Sequence, residues 1–156
     1  MKIHQVLTSF SLMVVFMSTT PRTGCDKERL LGCLSEVETG NNDQAVSSSG
    51  AVSRYQIMPY NWKYWTGFPI SHATDPAIST HVASLVLDGF QREIKNSPGV
   101  DMSEDVYTLA IVWYTGADAW RTNQLEPDAI DFAERVENLY NDKTYVPKYH
   151  KITSHR

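Results

Sequence analysis

The amino-acid sequence predicts a single, mainly α-helical domain. Its 156 residues are enough to bury one core and fall within the usual size of one domain. Apolar residues recur every three or four positions in several long segments, a spacing typical of amphipathic helices. Short runs rich in Gly, Asn and Pro separate these segments, and the sequence contains no internal repeat.

The first helix is predicted over residues 27–38, because its apolar side chains repeat at helical spacing. Turn-forming residues at 39–43 then end the helix, and residues 44–54 are small and polar. We expect a loop or a small hairpin there, followed by an aromatic stretch at 55–65. The apolar positions of the helix are Leu30, Leu31, Leu34 and Val37.

Three further helices are predicted in the second half of the chain. A long helix begins at Pro76, because a capping residue such as Asp75 followed by Pro is a common helix start. It ends at the Asn-Ser-Pro-Gly run after residue 95. Ser103 is the expected cap of the next helix, and the last helix opens at Pro127.

The two ends of the chain differ from the domain between them, which spans residues 25–142. Residues 1–24 combine Lys2 with an apolar run at Val6–Met17, a length that suits a signal peptide and is short for a membrane-spanning helix. The alternative is an uncleaved hydrophobic segment. Residues 143–156 form a basic tail that we expect to be solvated and frayed. We therefore expect an exported protein of the periplasm, cell envelope or extracellular space.

Two cysteines, Cys25 and Cys33, lie eight residues apart. On one straight helix their Cα atoms would be about 12 Å apart, too far for a disulfide. A bridge therefore requires Cys25 to lie on a non-helical segment that folds back. The alternative is that Cys33 is a small buried apolar residue. Neither cysteine is part of a metal-binding or cofactor-binding motif, so no cofactor is expected.

Composition limits the classes of partner. The hydrophobic fraction of 42% and the charged fraction of 21% are those of an ordinary folded protein. A net charge of −4 offers no electrostatic attraction for nucleic acid. The same charge offers no strong attraction for an anionic polymer.

Glu38 lies at the end of the first predicted helix, beside the polar loop. A carboxyl group held at such an edge loses water, which raises its pKa and keeps it protonated. Cleavage of a glycosidic bond needs such a proton on the leaving oxygen. Most glutamates are solvated at the surface, so position alone is weak evidence for catalysis.

Two further segments carry side chains suited to sugars. Gln56 offers a donor and an acceptor for hydroxyl and acetamido groups, and Tyr55 and Tyr60 are candidates for stacking on pyranose rings. Trp62 in the same stretch is expected to fill the core. Tyr114 stands at a helix end before a glycine, where its hydroxyl can reach a cleft.

The run E-T-G-N-N-D-Q-A-V-S-S-S-G-A-V-S-R-Y-Q-I-M-P, from Glu38 to Pro59, resembles the signature of the soluble lytic transglycosylase family. That family shows E-S, A-V-S, G-A and G-L-M-Q-x-M-P at the same offsets. The segments Trp113–Trp120 and Leu125–Tyr140 resemble the family's A-Y-N-A-G segment and its closing helix. The form R-Y-Q-I-M-P is most similar to transglycosylase-like domains of phage virions and secreted proteins.

The resemblance implies a mainly α, α+β lysozyme-like fold: one compact helical domain with a polar loop or small hairpin after the catalytic helix. It implies that Glu38 is the catalytic acid and base, and that Tyr114 hydrogen-bonds near it. Thr39 replaces the family's Ser and keeps a hydroxyl. The substrate-binding residues that it implies are Thr39, Tyr55, Gln56, Met58 and Tyr114.

The sequence departs from the family pattern at three places. Ser53, Arg54 and Tyr55 replace G-L-M, which removes a flexible backbone position and two apolar residues. Thr115 replaces an Asn, and Ala-Asp-Ala-Trp stands where the family has a Gly-Pro turn. We expect Arg54 to lie on the surface. These departures affect the expected sugar-binding subsites more than they affect the expected class of reaction.

The resemblance implies a single-glutamate mechanism on peptidoglycan that leaves 1,6-anhydro-muramyl ends, carried out by a monomer. One alternative is a lysozyme-type hydrolase in which Asp43 acts as a second carboxylate, although a turn-forming role suits Asp43 better. Another is a non-catalytic wall-binding module of a phage virion or secretion apparatus. The sequence leaves open which of these assemblies, if any, the protein serves.

Overall fold

A computed structural model describes residues 24–99 and 102–148. The predicted signal peptide, apart from its last residue, and the end of the predicted tail lie outside the described residues. Within them the chain is mainly helical and forms one compact domain. Its helices are α1 (Lys27–Thr39), α2 (Pro59–Trp65), a 3-10 helix (Ile70–Thr74), α3 (Pro76–Lys95), α4 (Val106–Thr115), α5 (Ala117–Arg121) and α6 (Pro127–Asn141).

The predicted first helix is confirmed, and both of its ends have local causes. Asp26 caps the start of α1, where its carboxylate accepts a hydrogen bond of 3.1 Å from the Arg29 amide. Gly40 ends it in the left-handed conformation at φ 64°, which suits a glycine. Leu30, Leu31 and Leu34 are fully buried, so α1 packs its apolar face into the core.

The polar loop after α1 contains the only β pairing among the described residues. Val46 pairs with Val52, and Val52 with Ile57, as isolated antiparallel bridges, and no strand forms in this part of the chain. Ser53 and Gln56 adopt left-handed φ values of 68° and 50°, which let the chain reverse direction within a few residues. The expected hairpin is thus reduced to two bridges.

The long third helix and the last helix begin where the sequence predicts. Asp75 caps α3 by accepting hydrogen bonds from the amides of residues 77 and 78. The expected cap of α4 was wrong: Asp105, not Ser103, accepts the bond from the Thr108 amide, at 2.8 Å. A cap must immediately precede the first helical residue, and α4 begins at Val106.

Helix α4 lies at the centre of the domain, in contact with α3, α5 and α6. Five consecutive residues, 108–112, are buried, so this part of the helix is enclosed on all sides. Helix α1 packs against α6 and α3. No helix among the described residues is long and apolar enough to cross a membrane.

The described part of the expected tail, residues 143–148, is mostly exposed, but Tyr145 and Pro147 pack back onto α1 instead of fraying. The Arg29 guanidinium donates hydrogen bonds to the carbonyls of Tyr140 and Tyr145, at 2.7 and 3.1 Å. The Tyr145 hydroxyl donates to the Gly32 carbonyl at 3.2 Å. Pro147 sits so close to Gly32 that an added Cβ would collide with its ring. These contacts order a segment whose composition resembles that of a solvated tail.

Both cysteines carry free thiols in the structure. Cys25 lies on the non-helical segment before α1, and Cys33 is fully buried within α1. Burial raises the pKa of Cys33 to about 12 and that of Cys25 to about 11, so both stay protonated at neutral pH. Cys33 therefore acts as a small apolar residue of the core.

Replacing Gly89 by Ala is expected to destabilise the protein by about 1–2 kcal/mol. An added Cβ on Gly89 would collide with the Trp65 ring, and overpacking of this kind costs about 1–3 kcal/mol. The better helix propensity of Ala, about 1 kcal/mol, offsets part of that cost. Thermal denaturation measures the effect, and Gly67→Ala is the control because its Cβ meets open space. Equal melting temperatures would contradict this packing.

Candidate active site

A cleft of about 310 Å³ opens where α1 ends, between the polar loop, α2 and α4. Its lining is polar but almost uncharged: of the described residues, Glu38 is the only carboxylic acid in it. The lining comprises Glu38, Ser47, Ser49, Ala51, Gln56, Ile57, Met58, Tyr60, Asn61, Val86, Phe90 and residues 113–116.

The Glu38 carboxyl is held away from water in the last turn of α1. Burial raises its pKa from 4.5 to about 7, although the hydrogen bond from Trp113 and the nearby charge of Arg135 both lower it. Trp113 Nε1 donates to Glu38 Oε1 at 3.1 Å. At neutral pH a large fraction of Glu38 is therefore protonated, the form that donates a proton.

Aromatic rings hold the Trp113 indole that contacts Glu38. The ring of Tyr55 meets Trp113 edge-on at 6.4 Å between centroids, and that of Phe90 does so at 6.3 Å. These contacts hold the indole N–H beside the carboxyl. The hydrogen bond of Trp113 was not predicted from the sequence, although Trp113 begins one of the segments that carry the resemblance. One general rule could have predicted this bond: the N–H of a half-buried indole usually has a hydrogen-bond acceptor.

Gln56 and Met58 line the cleft, as the sequence predicts. The amide of Gln56 is oriented locally, because its Nε2 donates to the Ser53 carbonyl at 3.0 Å. Paired backbone hydrogen bonds of 3.0 Å between Val52 and Ile57 close this short loop. Ser53 stands where the resembled family has Gly, yet it adopts the left-handed conformation that a glycine would favour.

Two residues expected to bind substrate lie outside the cleft lining. Tyr55 is fully buried, and its hydroxyl shares a hydrogen bond with Thr80 Oγ1 at 3.1 Å, so it belongs to the core. Thr39 Oγ1 donates to the Arg54 carbonyl at 3.1 Å and accepts from the Asn42 amide at 3.0 Å. Full burial rules out direct substrate contact for Tyr55, which corrects the expectation for that residue. Thr39 supports the wall of the cleft, and its contact with substrate stays a prediction. The expected core position of Trp62 is confirmed.

Tyr114 does line the cleft, with 45% of its surface exposed. Its ring packs on Phe132 of α6 at 5.2 Å between centroids. Tyr114 was expected to hydrogen-bond near Glu38, whereas the side chain that donates to the Glu38 carboxylate is Trp113. Burial and nearby carboxylates, including Glu38, raise the pKa of Tyr114, so its hydroxyl stays protonated.

Arg54 and Asp43 form an ion pair that anchors the polar loop. Arg54 Nε and Nη2 donate to the two carboxylate oxygens of Asp43 at 2.5 and 2.6 Å. The expected surface position of Arg54 was wrong, since only 3% of it is exposed. Both oxygens of Asp43 are engaged in this pair, and Asp43 does not line the cleft. Its structural role agrees with the turn-forming alternative.

Among the described residues, no group of three or more His, Cys, Asp or Glu side chains is placed to hold a metal ion. The chain matches no family model, no curated protein and no solved structure.

Replacing Trp113 by Phe is expected to move the alkaline fall of any Glu38-dependent activity to higher pH by about one unit. The indole N–H lowers the pKa of Glu38, so its removal raises that pKa, and the protonated form persists to higher pH. The pH dependence of kcat/KM measures this shift. Trp120→Phe, outside the cleft, is the control; a profile that Trp113→Phe leaves unchanged would contradict the assigned bond.

Proposed function

We propose that this protein is a peptidoglycan lytic transglycosylase that cleaves the β-1,4 bond between MurNAc and GlcNAc. The observation that carries the proposal is the lone carboxyl group in the cleft, Glu38, whose pKa burial raises to about 7. General acids work best when their pKa lies near the working pH. The motif around Glu38 supports the same assignment.

In the proposed reaction Glu38 serves first as acid and then as base. Its proton passes to the glycosidic oxygen as the bond to the anomeric carbon breaks, and the acetamido group of MurNAc stabilises the cationic centre. The Glu38 carboxylate then accepts a proton from the 6-hydroxyl of the same sugar, whose oxygen bonds to the anomeric carbon. The product is a 1,6-anhydro ring, no water is consumed, and Glu38 regains its proton.

The remaining cleft residues suit a sugar chain. The side chains of Ser47, Gln56 and Asn61 offer donors and acceptors without charge, as neutral hydroxyl and acetamido groups require. The exposed rings of Tyr60 and Tyr114 offer aromatic faces at the opening. A second carboxylate at glycosidase spacing is absent from the described lining, which favours a single-residue mechanism over hydrolysis.

The wider expectations from the sequence remain part of this proposal. The helical domain with its bridged loop is proposed to be a variant of the α+β lysozyme-like fold. The protein is proposed to act outside the cytoplasm as a monomer on peptidoglycan glycan strands, free or within a phage virion or secretion apparatus. No cofactor is required by the proposed chemistry, because Glu38 makes both proton transfers.

The test of the proposed function is the structure of the reaction products. Mass spectrometry of peptidoglycan digested with the wild-type protein is expected to show 1,6-anhydro-muramyl ends. Digestion in isotopically labelled water adds a second readout, because a transglycosylase incorporates no label at the new ends. Labelled reducing ends alone would establish hydrolysis instead. A wall-containing gel that the wild-type protein binds but does not clear would reduce the protein to a binding module.

A further inference from the structure

The exposed apolar side chains are concentrated in one stretch of the chain. Tyr60, Tyr64, Phe68 and Ile70 make up half of the eight large apolar side chains that are exposed in the described residues. Isolated exposed apolar residues need no explanation, but a cluster marks an interaction surface. Helix α2 holds the first two, so the cluster begins on an element that borders the cleft.

Tyr60 and Tyr64 lie on the same face of α2, one turn apart. Side chains four residues apart stand one above the other, about 6 Å along the helix axis. Tyr60 lines the cleft, whereas Tyr64 lies beyond its lining with 78% of its surface exposed. Trp62, between them, is buried and donates to the Phe68 carbonyl at 2.9 Å. The two phenol rings therefore extend the cleft along the outside of α2.

The Tyr64 ring is held in place although it is exposed. Its neighbour Trp65 meets it edge-on, with 4.9 Å between the centroids and 87° between the planes. Trp65 is in turn wedged against α3 at Gly89, and the Arg92 guanidinium lies 5.8 Å from the centre of its ring. An exposed ring that is already positioned loses little conformational entropy when a ligand stacks on it.

We propose that Tyr64 is an outer sugar-binding platform, which holds the part of the glycan strand that extends past the cleft beyond Tyr60. This inference rests on the proposed function, since it names a further contact for the same substrate. A tyrosine combines an apolar face with a polar hydroxyl, and a pyranose ring presents an apolar face edged by hydroxyls. The glycan strand is the proposed occupant because Tyr60, one helical turn before Tyr64, lines the cleft that holds Glu38.

The experiment measures how much tighter a long glycan binds than a short one. In the inactive Glu38→Gln protein, calorimetry compares a tetrasaccharide with an octasaccharide of alternating GlcNAc and MurNAc. Adding Tyr64→Ala is expected to reduce the preference for the octasaccharide by about three- to tenfold. Adding Tyr64→Phe is expected to retain that preference. Val146→Ala is the control, because Val146 is equally exposed and lies outside the cleft lining.

The outcomes separate this inference from the proposed function. If both oligosaccharides bind and Tyr64→Ala leaves their affinity ratio unchanged, the platform is overturned and the proposed function stands. If Glu38→Gln binds neither oligosaccharide, the proposed function fails and the platform fails with it. A preference that falls equally with Tyr64→Ala and Val146→Ala also overturns the platform, because the loss is then not specific to the ring.

Discussion

Replacing Glu38 by Gln is expected to reduce the rate of peptidoglycan cleavage by about 10²–10⁴-fold, the usual contribution of a general acid and base. Gln has nearly the same shape and still accepts the Trp113 hydrogen bond, but it has no proton to give to the glycosidic oxygen. Turbidity loss of purified cell walls, normalised to folded protein, measures the effect. Glu134→Gln, an exposed change on α6, is the control and should retain full activity.

The same substitution is expected to stabilise the protein at alkaline pH. The folded-state pKa of Glu38 is raised, so its contribution to stability is fully present below about pH 4.5 and is lost as the pH rises through about 7. Gln does not ionise and avoids this loss. The unfolding free energy of Glu38→Gln should exceed that of the wild type by about 3 kcal/mol at pH 8 and differ little at pH 4.

These two readouts test Glu38 in different ways. A loss of cleavage without the pH-dependent gain in stability would mean that Glu38 is catalytic but not desolvated. A gain in stability with cleavage at the wild-type rate would contradict the catalytic assignment. Chemical denaturation at both pH values, with Glu134→Gln alongside, separates these cases.

Breaking the Arg54–Asp43 pair is expected to lower the unfolding free energy by about 3–5 kcal/mol. In Asp43→Asn the Arg54 guanidinium, almost completely buried, loses its counter-charge, and Arg54→Met leaves the Asp43 carboxylate without its partner. Thermal denaturation measures the loss. Asp131→Asn is the control, because the pair of Asp131 and Arg135 is exposed and contributes about 1 kcal/mol or less.

The Asp43→Asn variant also separates the two catalytic mechanisms. At a temperature where it remains folded, its cleavage rate per folded molecule should stay within a few-fold of the wild type, because Asp43 lies outside the cleft lining. A lysozyme-type hydrolase that used Asp43 as its base would instead lose about 10²-fold or more. Such a loss, measured on folded protein, would favour the hydrolase mechanism that uses both Glu38 and Asp43.

The helices could be predicted from the sequence because their signals are local. The start of α3 depends on Asp75 and Pro76, which are adjacent, and the end of α1 on Gly40. Ser103 was a misleading signal of the same kind. It is a good capping residue, but Asp105 stands directly before the helix and competes successfully for the free amide. Local propensity therefore predicts that a helix exists better than it predicts where that helix begins.

Buried polar contacts were the part that could not be predicted. Arginine is a residue type usually found at the surface, so Arg54 was expected there, and residues 143–148 have the composition of a loose tail. Each is ordered by a partner distant in sequence: Asp43 for Arg54, and Arg29 for the tail. Tyr55 is similar, since an aromatic residue beside a sugar motif can face either the cleft or the core. Only the packing against Trp113 and Thr80 decides that it faces the core.

The sequence by itself determined the helical class of the protein and the position of Glu38 at the end of the first helix, in a run that resembles the motif of a family of wall-cleaving enzymes. The tertiary structure decided the pKa of the Glu38 carboxyl group, and with it the protonation state of that group. The pKa of Glu38 depends on burial beneath α4 side chains and on a Trp113 hydrogen bond that spans 75 positions of the chain. Desolvation arises from the atoms that surround a group in space, and no spacing of residues along a sequence specifies it.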